Sequence, residues 1–124
     1  MVKVKDLKLD LQIWSNELKF LNDELKIFKK HLAEIAIKNT NKDILSQVEH
    51  YQNVFIRQAE VIDELNHLMV VENDKLMEEV KKNPEHYFQV RFDDHTELRD
   101  KMETHRKIYK EMRDEFYKFL GTWL

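Results

Sequence analysis

Five polar side chains of this sequence are candidates for a chemical site. Gln58, Glu72, His95, His105 and Tyr109 stand at spacings where the neighbouring positions carry large apolar residues. A histidine can act as a general acid or base or bind a metal, and a carboxylate can assist it. The alternatives are a metal or small-ligand site inside a core, and a set of buried polar residues that only hydrogen-bond with one another.

Known catalytic and metal-binding motifs are not matched elsewhere. Di-iron helical bundles use Glu-x-x-His twice, whereas the pattern occurs once here, at Glu64 and His67, and the helical spacing puts both on an outer face. There is no cysteine, the single glycine excludes a phosphate-binding loop, and Ser15 and Ser46 are the only serines. We therefore expect no catalytic residue and no cofactor. A metal site using His50 or His67 would have to form between subunits.

The composition predicts long amphipathic helices in one domain, residues 1–124. The chain has one glycine and one proline, with 36% charged and 42% apolar residues. Its 21 basic and 24 acidic residues are interspersed and give a net charge of −3, so no basic surface for nucleic acid is expected. The N-terminus lacks the apolar run of a signal peptide, and no stretch resembles a membrane span. We expect a cytoplasmic protein without a membrane or nucleic-acid partner.

Two interior segments carry turn residues and divide the chain into three helices. In residues 38–43, either Thr40 with Asp43, or Asn41, can cap a helix. In residues 81–86, Pro84 suits the first turn of the next helix, and Gly121 suits the end of the last one. The predicted helices cover about 7–38, 42–82 and 84–120. Such short turns make consecutive helices antiparallel, in an up-down-up three-helix bundle of the all-α class.

Each helix has a line of core-facing positions at alternating spacings of three and four, which we call its seam. The first helix has Leu7, Leu11, Trp14, Leu18, Leu21, Leu25, Phe28, Leu32 and Ile35. The second has Ile44, Val48, Tyr51, Phe55, Gln58, Ile62, Leu65, Met69, Glu72 and Leu76. The third has Phe88, Arg91, His95, Leu98, Met102, His105, Tyr109, Met112, Phe116, Phe119 and Trp123. In this architecture of long heptad-patterned, coiled-coil-like helices, the chain resembles spectrin-repeat-type bundles.

Counting through the turns predicts which residues lie at the same level of the bundle. Gln58 falls between His105 and Tyr109, and Glu72 falls beside His95. The simpler interpretation is that these polar residues satisfy one another and fix register and oligomeric state. On that interpretation, replacing His105 by leucine would not lower stability. The alternative interpretation is a metal- or small-ligand-binding centre. In that case, replacing His105 by leucine would lower the affinity for the ligand.

A ladder of charges flanks the seams of the first and third helices. Arg106 and Arg113 lie seven residues apart on the third helix, as Glu17 and Glu24 do on the first. Parallel heptad helices bring such flanks together. We expect the ion pairs Glu17–Arg106 and Glu24–Arg113, each worth about 0–1 kcal/mol and chiefly orienting the helices.

A second apolar line on the first helix lies off the seam. Ile13, Phe20 and Ile27, also spaced by seven, form what we call the apolar strip. Either the third helix covers it, or it contacts another molecule. The aromatic C-terminus, residues 115–124, could likewise cap the core or dock onto another chain. These patterns favour a non-catalytic structural or protein-interaction module that pairs with itself, as a homodimer, or with another protein; the alternative function is metal or small-ligand binding.

Overall fold

Three long helices make up the computed structural model, which describes residues 4–82 and 92–124, with side chains from 5–82 and 95–124. The helices are α1, Val4–Lys38; α2, Lys42–Lys82; and α3, Phe92–Trp123. No strand occurs in these ranges, so the prediction of an all-α three-helix bundle is confirmed. The predicted cap at Pro84 and the predicted seam residues Phe88 and Arg91 lie outside the described residues.

Asparagines end α1 and begin α2. The Asn39 side-chain amide donates to the carbonyl of Ile35 at 2.8 Å, which satisfies one of the last free carbonyls of α1. The Asn41 side-chain oxygen accepts from the backbone N–H of Asp43 at 2.8 Å and of Ile44 at 3.3 Å. Asn41 is therefore the N-cap of α2, and three residues are enough to reverse the chain.

The predicted seams are buried with two exceptions among the described side chains. All nine seam residues of α1 are buried, and so are those of α2 apart from the half-buried Tyr51. On α3, Trp123 was predicted in the core but is 38% exposed. Phe116 contacts Phe28 of α1 and Tyr51 of α2. Residue 123 lies two turns further along α3 and is therefore level with the core residues next to the α1–α2 turn. Its outer side therefore has no helix to cover it.

The other difference concerns Gly121, which we expected to end the last helix. α3 continues through it to Trp123, because the N–H of Leu124 still donates to the carbonyl of Leu120, at 2.8 Å. Thr122 also bonds back through its hydroxyl to the carbonyl of Lys118, at 3.0 Å. A glycine typically ends a helix by adopting the left-handed conformation itself, whereas the hydrogen bonds around Gly121 remain helical.

One end of the core is aromatic. Rings from all three helices meet there with centroids 4.9–6.3 Å apart: Phe28, Tyr51, Phe55, Phe116 and Phe119. The middle and the opposite end contain the polar seam residues instead.

Contacts between helices follow simple numerical rules. Between α1 and α3 the partners rise together, as in Asp10 with His95, Glu17 with Arg106 and Glu24 with Arg113. Between α1 and α2 they run in opposite senses, as in Lys8 with Met77, Ser15 with Met69 and Phe28 with Phe55. These are the relations of a parallel and an antiparallel helix pair, respectively. They decide which polar residues can meet.

Candidate functional site

Gln58 and His105 meet in the middle of the bundle, as the level counting predicts. His105 Nε2 lies 3.1 Å from Gln58 Oε1, and the side chains are 4% and 7% exposed. Since the glutamine oxygen accepts, Nε2 carries the hydrogen and Nδ1 presents a lone pair. Among the described residues, Nδ1 has no hydrogen-bond partner.

Burial decides the charge of this histidine. Desolvation lowers the pKa of His105; the carboxylate of Glu17 opposes that effect, and the guanidinium of Arg106 adds to it. The lowered pKa means that the imidazole is neutral at neutral pH. It is a buried acceptor, with an amide rather than a carboxylate to orient it.

Tyr109 was grouped with Gln58 and His105 in the candidate centre, but its hydroxyl points to another helix. The hydroxyl donates to Glu24 Oε1 at 2.9 Å and lies 3.4 Å from the carbonyl oxygen of Leu21. Burial first, and then the hydrogen bond to Glu24, raise the pKa of Tyr109, so the phenol stays protonated. The rings of His105 and Tyr109 are neighbours, with centroids 5.9 Å apart, but their hydrogen bonds diverge.

His95 finds its partner on α1. Its ring is 1% exposed and stacks on Trp14, with centroids 5.0 Å apart. Its Nε2 lies 2.9 Å from Asp10 Oδ2, and Arg99 donates to the same oxygen at 3.1 Å. Level counting places Glu72 beside His95 and does not predict Asp10 as its partner. The usable signal was spacing, since Asp10 precedes Glu17 by seven residues, as Arg99 precedes Arg106.

Glu72 is buried on α2, at 5% exposure. Together with Leu98 and Lys101 it lines a small pocket of about 130 Å³ between α2 and α3. The hydrogen bond that the structure gives His95 runs to Asp10 on α1, whereas that of His105 runs to Gln58 on α2.

The charge ladder has the expected partners. Arg106 donates two hydrogen bonds to Glu17, one from Nε to Oε1 and one from Nη2 to Oε2 at 2.8 Å. The Arg113 guanidinium lies 3.6 Å from Glu24 Oε1. The hydrogen bond from Arg106 to Glu17 raises the pKa of the guanidinium, which remains charged at any working pH. Both pairs link the flanks of α1 and α3.

The apolar strip is not covered by α3. Ile13, Phe20 and Ile27 are 52%, 60% and 55% exposed. Leu9, four residues before Ile13, is also exposed, at 54%, but it lies outside the seven-residue spacing of the strip. The C-terminal segment is divided: Phe116 and Phe119 are buried in the aromatic end of the core, and Tyr117, Trp123 and Leu124 are exposed.

Among the described side chains, residues 5–82 and 95–124, no group of three or more His, Asp or Glu is arranged to hold a metal ion. His50 and His67 are exposed on the outside of α2. Chemically, the described residues offer a neutral buried imidazole at His105, a buried His95 whose partners Asp10 and Arg99 are partly exposed, and an exposed apolar strip.

Neither a protein-family model, nor a curated protein, nor a solved structure matches this chain. Over the described part of the chain, no helix has a segment long and apolar enough to cross a membrane.

Proposed function

We propose that the protein is a non-catalytic helical-bundle module that associates with a second copy of itself through the apolar strip. The observation that carries the proposal is the exposure of Ile13, Phe20 and Ile27 at more than half of each side chain. Three large apolar residues spaced by two turns lie in one line along a helix, and an exposed apolar line of this kind supports a contact surface.

The spacing of the strip also suits a second copy better than an arbitrary partner. Phe20 stands seven residues from Ile13 and seven from Ile27, so the strip reads the same in both directions. Two α1 helices packed antiparallel about a two-fold axis at Phe20 would set Ile13 of each copy against Ile27 of the other. A self-complementary surface of this kind forms closed dimers.

The surroundings of three polar side chains also support a non-catalytic role. The best-placed histidine, His105, is oriented by an amide, and the hydroxyl of Ser15 contacts the sulfur of Met69 at 3.5 Å rather than a base. His95 has a carboxylate partner, but its ring lies under Trp14 at 1% exposure. Covalent catalysis requires a nucleophile within hydrogen-bond distance of an accessible base. None of these three side chains offers that arrangement.

The test is a charge placed in the strip. Phe20→Lys would put an ammonium at the centre of the dimer and should convert it to monomers in sedimentation velocity across a concentration series. Val70→Lys on α2 is the matched control, because Val70 is 58% exposed, against 60% for Phe20. It should associate as the parent does, and both variants should keep the helical circular dichroism. A parent protein that stays monomeric, or a Phe20→Lys variant that still dimerises, would refute the proposal.

Small-ligand binding is kept as a second candidate function, because the Gln58–His105 pair lines an open groove between α2 and α3. That groove is independent of the apolar strip.

A further inference from the structure

Another groove runs between α1 and α2, and its two openings lie towards opposite ends of the bundle. The larger opening, of about 670 Å³, is lined by Lys8 and Val70 among other residues. The smaller one, of about 380 Å³, is lined by Lys29 and Ile56 among others. Counted along α1 from Lys8 to Lys29, the openings are about 30 Å apart, which is the length of a helix of three heptads. We call this surface the α1–α2 groove.

One wall of the α1–α2 groove is a row of lysines on α1. The positions that border the groove recur at spacings of three and four from Lys5 to Ala36, and they hold five lysines and no acidic residue. These five residues, which we call the lysine row, are all exposed: Lys5, Lys8, Lys19, Lys26 and Lys29. Side chains three residues apart are neighbours on a helix, so Lys5 and Lys8 repel each other, as do Lys26 and Lys29.

The structure supplies little negative charge to offset the lysine row. Among the described side chains, four of its members form no ion pair, and Lys26 reaches Asp23 only at 3.9 Å, with both groups exposed. Lys8 Nζ lies 3.9 Å from the neutral sulfur of Met77. The opposite flank of α1 differs, because its carboxylates are paired with arginines of α3. Positive charge therefore remains on the groove side of α1.

The other wall, on α2, is mostly uncharged and partly apolar. Over the length of the lysine row, its bordering positions recur at the same spacings and include two acidic residues, Glu49 and Asp63. Ile56 and Val70 stand in the same line and are 53% and 58% exposed. Leu9 adds a further exposed apolar side chain at the larger opening. A partner in the groove would thus meet apolar side chains on the inside and positive charge along one edge.

We infer that the α1–α2 groove docks an acidic amphipathic helix of a partner protein, with its apolar face on Ile56 and Val70 and its carboxylates along the lysine row. A groove between two packed helices accepts a further helix through its apolar face, and complementary charges at the edge select the partner. A flat membrane surface would touch the edges of the groove without filling its openings.

A second copy of this chain is a poorer match for the groove than another protein. The carboxylates beside the apolar strip, Asp10, Glu17 and Glu24, already pair with arginines of α3, so the strip does not present them freely. The lysine row and the apolar strip use different residues of α1. Docking of an acidic helix therefore does not depend on self-association.

Two designed peptides that differ only in charge provide the first test. Both are amphipathic helices of three heptads with leucine and alanine at the inward positions; one carries glutamate along one flank, and the other carries lysine there. Fluorescence anisotropy of each labelled peptide with the full chain measures the affinity. The glutamate peptide should bind at least about tenfold more tightly than the lysine peptide. The difference should shrink in about 1 M salt, because exposed charges are then screened.

Methyl spectra locate the binding site. In ¹³C-methyl-labelled protein, the glutamate peptide should shift the signals of Leu9, Ile56 and Val70 saturably. The signals of Ile13 and Ile27 in the apolar strip should stay unchanged.

Charge reversal assigns the preference to the lysine row. The double variant Lys19→Glu, Lys26→Glu changes two exposed positions and should remove the preference for the glutamate peptide. The double variant Lys107→Glu, Lys110→Glu on α3 is the matched control, because it changes the net charge equally at exposed positions of another helix, and it should keep the preference. Val70→Asn removes apolar contact without adding charge and should weaken the binding of both peptides. All variants should keep the helical circular dichroism.

Four outcomes would overturn the inference. Equal affinities for the two peptides, or equal losses in the two charge-reversal variants, would show that the lysine row does not select the partner. Shifts confined to Ile13 and Ile27 would move the binding site to the apolar strip. A glutamate peptide that does not bind up to about 1 mM would exclude this class of partner. Co-sedimentation of the protein with phosphatidylserine vesicles would in that case assign the lysine row to a membrane surface.

Discussion

The hydrogen bond between Gln58 and His105 makes a prediction that can be worked from the structure. Replacing either residue by leucine leaves the other as a buried polar group without its partner, which costs about 1–3 kcal/mol. His105 is 4% exposed, so Gln58→Leu should lower the free energy of unfolding by about 1–2 kcal/mol. Gln58 lines the open groove, where its amide can reach water, so His105→Leu should cost less, about 0.5–1 kcal/mol.

The double variant should behave differently from the sum of the two. With both polar groups gone, no partner is left unsatisfied and two leucines fill the space. The free energy of unfolding should then equal or exceed that of the parent, with a coupling energy of about 1–3 kcal/mol. This refines the expectation from the sequence that His105→Leu alone does not lower stability, because the structure identifies the partner that the change would strand.

Equilibrium urea denaturation, followed by circular dichroism at pH 8 and one fixed protein concentration, measures all four proteins of the cycle. Gln52→Leu, at an exposed position of α2, is the control for introducing leucine and should change stability by less than about 0.5 kcal/mol. Additive losses in the double variant would refute the reasoning, since they would mean that the two side chains stabilise the fold independently.

Three further predictions concern pH, charge and capping. Because the folded pKa of His105 lies below its ordinary value of 6.5, the unfolded chain takes up the proton first. Urea titrations at several pH values should therefore show the parent losing stability relative to His105→Leu as the pH falls below about 6.5, by at most about 1.4 kcal/mol per pH unit, until the pH passes the folded pKa. A double-mutant cycle of Glu17→Gln and Arg106→Gln should give a coupling of about 0–1 kcal/mol that shrinks in 1 M salt, because the guanidinium side is 39% exposed; a coupling insensitive to salt would contradict the pairing. In urea denaturation, Asn41→Ala should lower the free energy of unfolding by about 1 kcal/mol, whereas Thr40→Ala should leave it unchanged. Equal effects of the two substitutions would show that Asn41 is not the N-cap.

The sequence predicts this core well, for a physical reason. Apolar residues at unbroken three–four spacing can be buried together only on one side of a helix, and the nine seam residues of α1 are all buried as a consequence. The level counting also works along the bundle, since each residue advances a helix by the same rise. It brought Gln58 to His105 and Glu17 to Arg106.

The errors arose where level alone does not decide. A seam residue of α3 lies between two helices, and counting does not say which of them its polar atoms will face. His95 turns to Asp10 of α1 and stacks on Trp14, while the prediction assigned it to Glu72 of α2. Nor can seven-residue spacing tell where a bundle ends, which is why Trp123 was expected in the core.

The charge ladder between α1 and α3 leaves one ambiguity. Its steps are nearly identical, so sliding α3 by seven residues would set Glu17 against Arg113 and lose only one pair.

The Gln58–His105 pair is sensitive to such a shift, because moving α3 by seven residues against α2 would place Gln58 opposite Leu98 or Met112, where an amide has no partner. The shifted alignment thus loses one ion pair, worth about 0–1 kcal/mol, and in addition leaves a buried amide without a partner, which costs about 1–3 kcal/mol. A single hydrogen bond inside the core can in this way distinguish one assembled state from otherwise similar ones, while contributing little to the total stability.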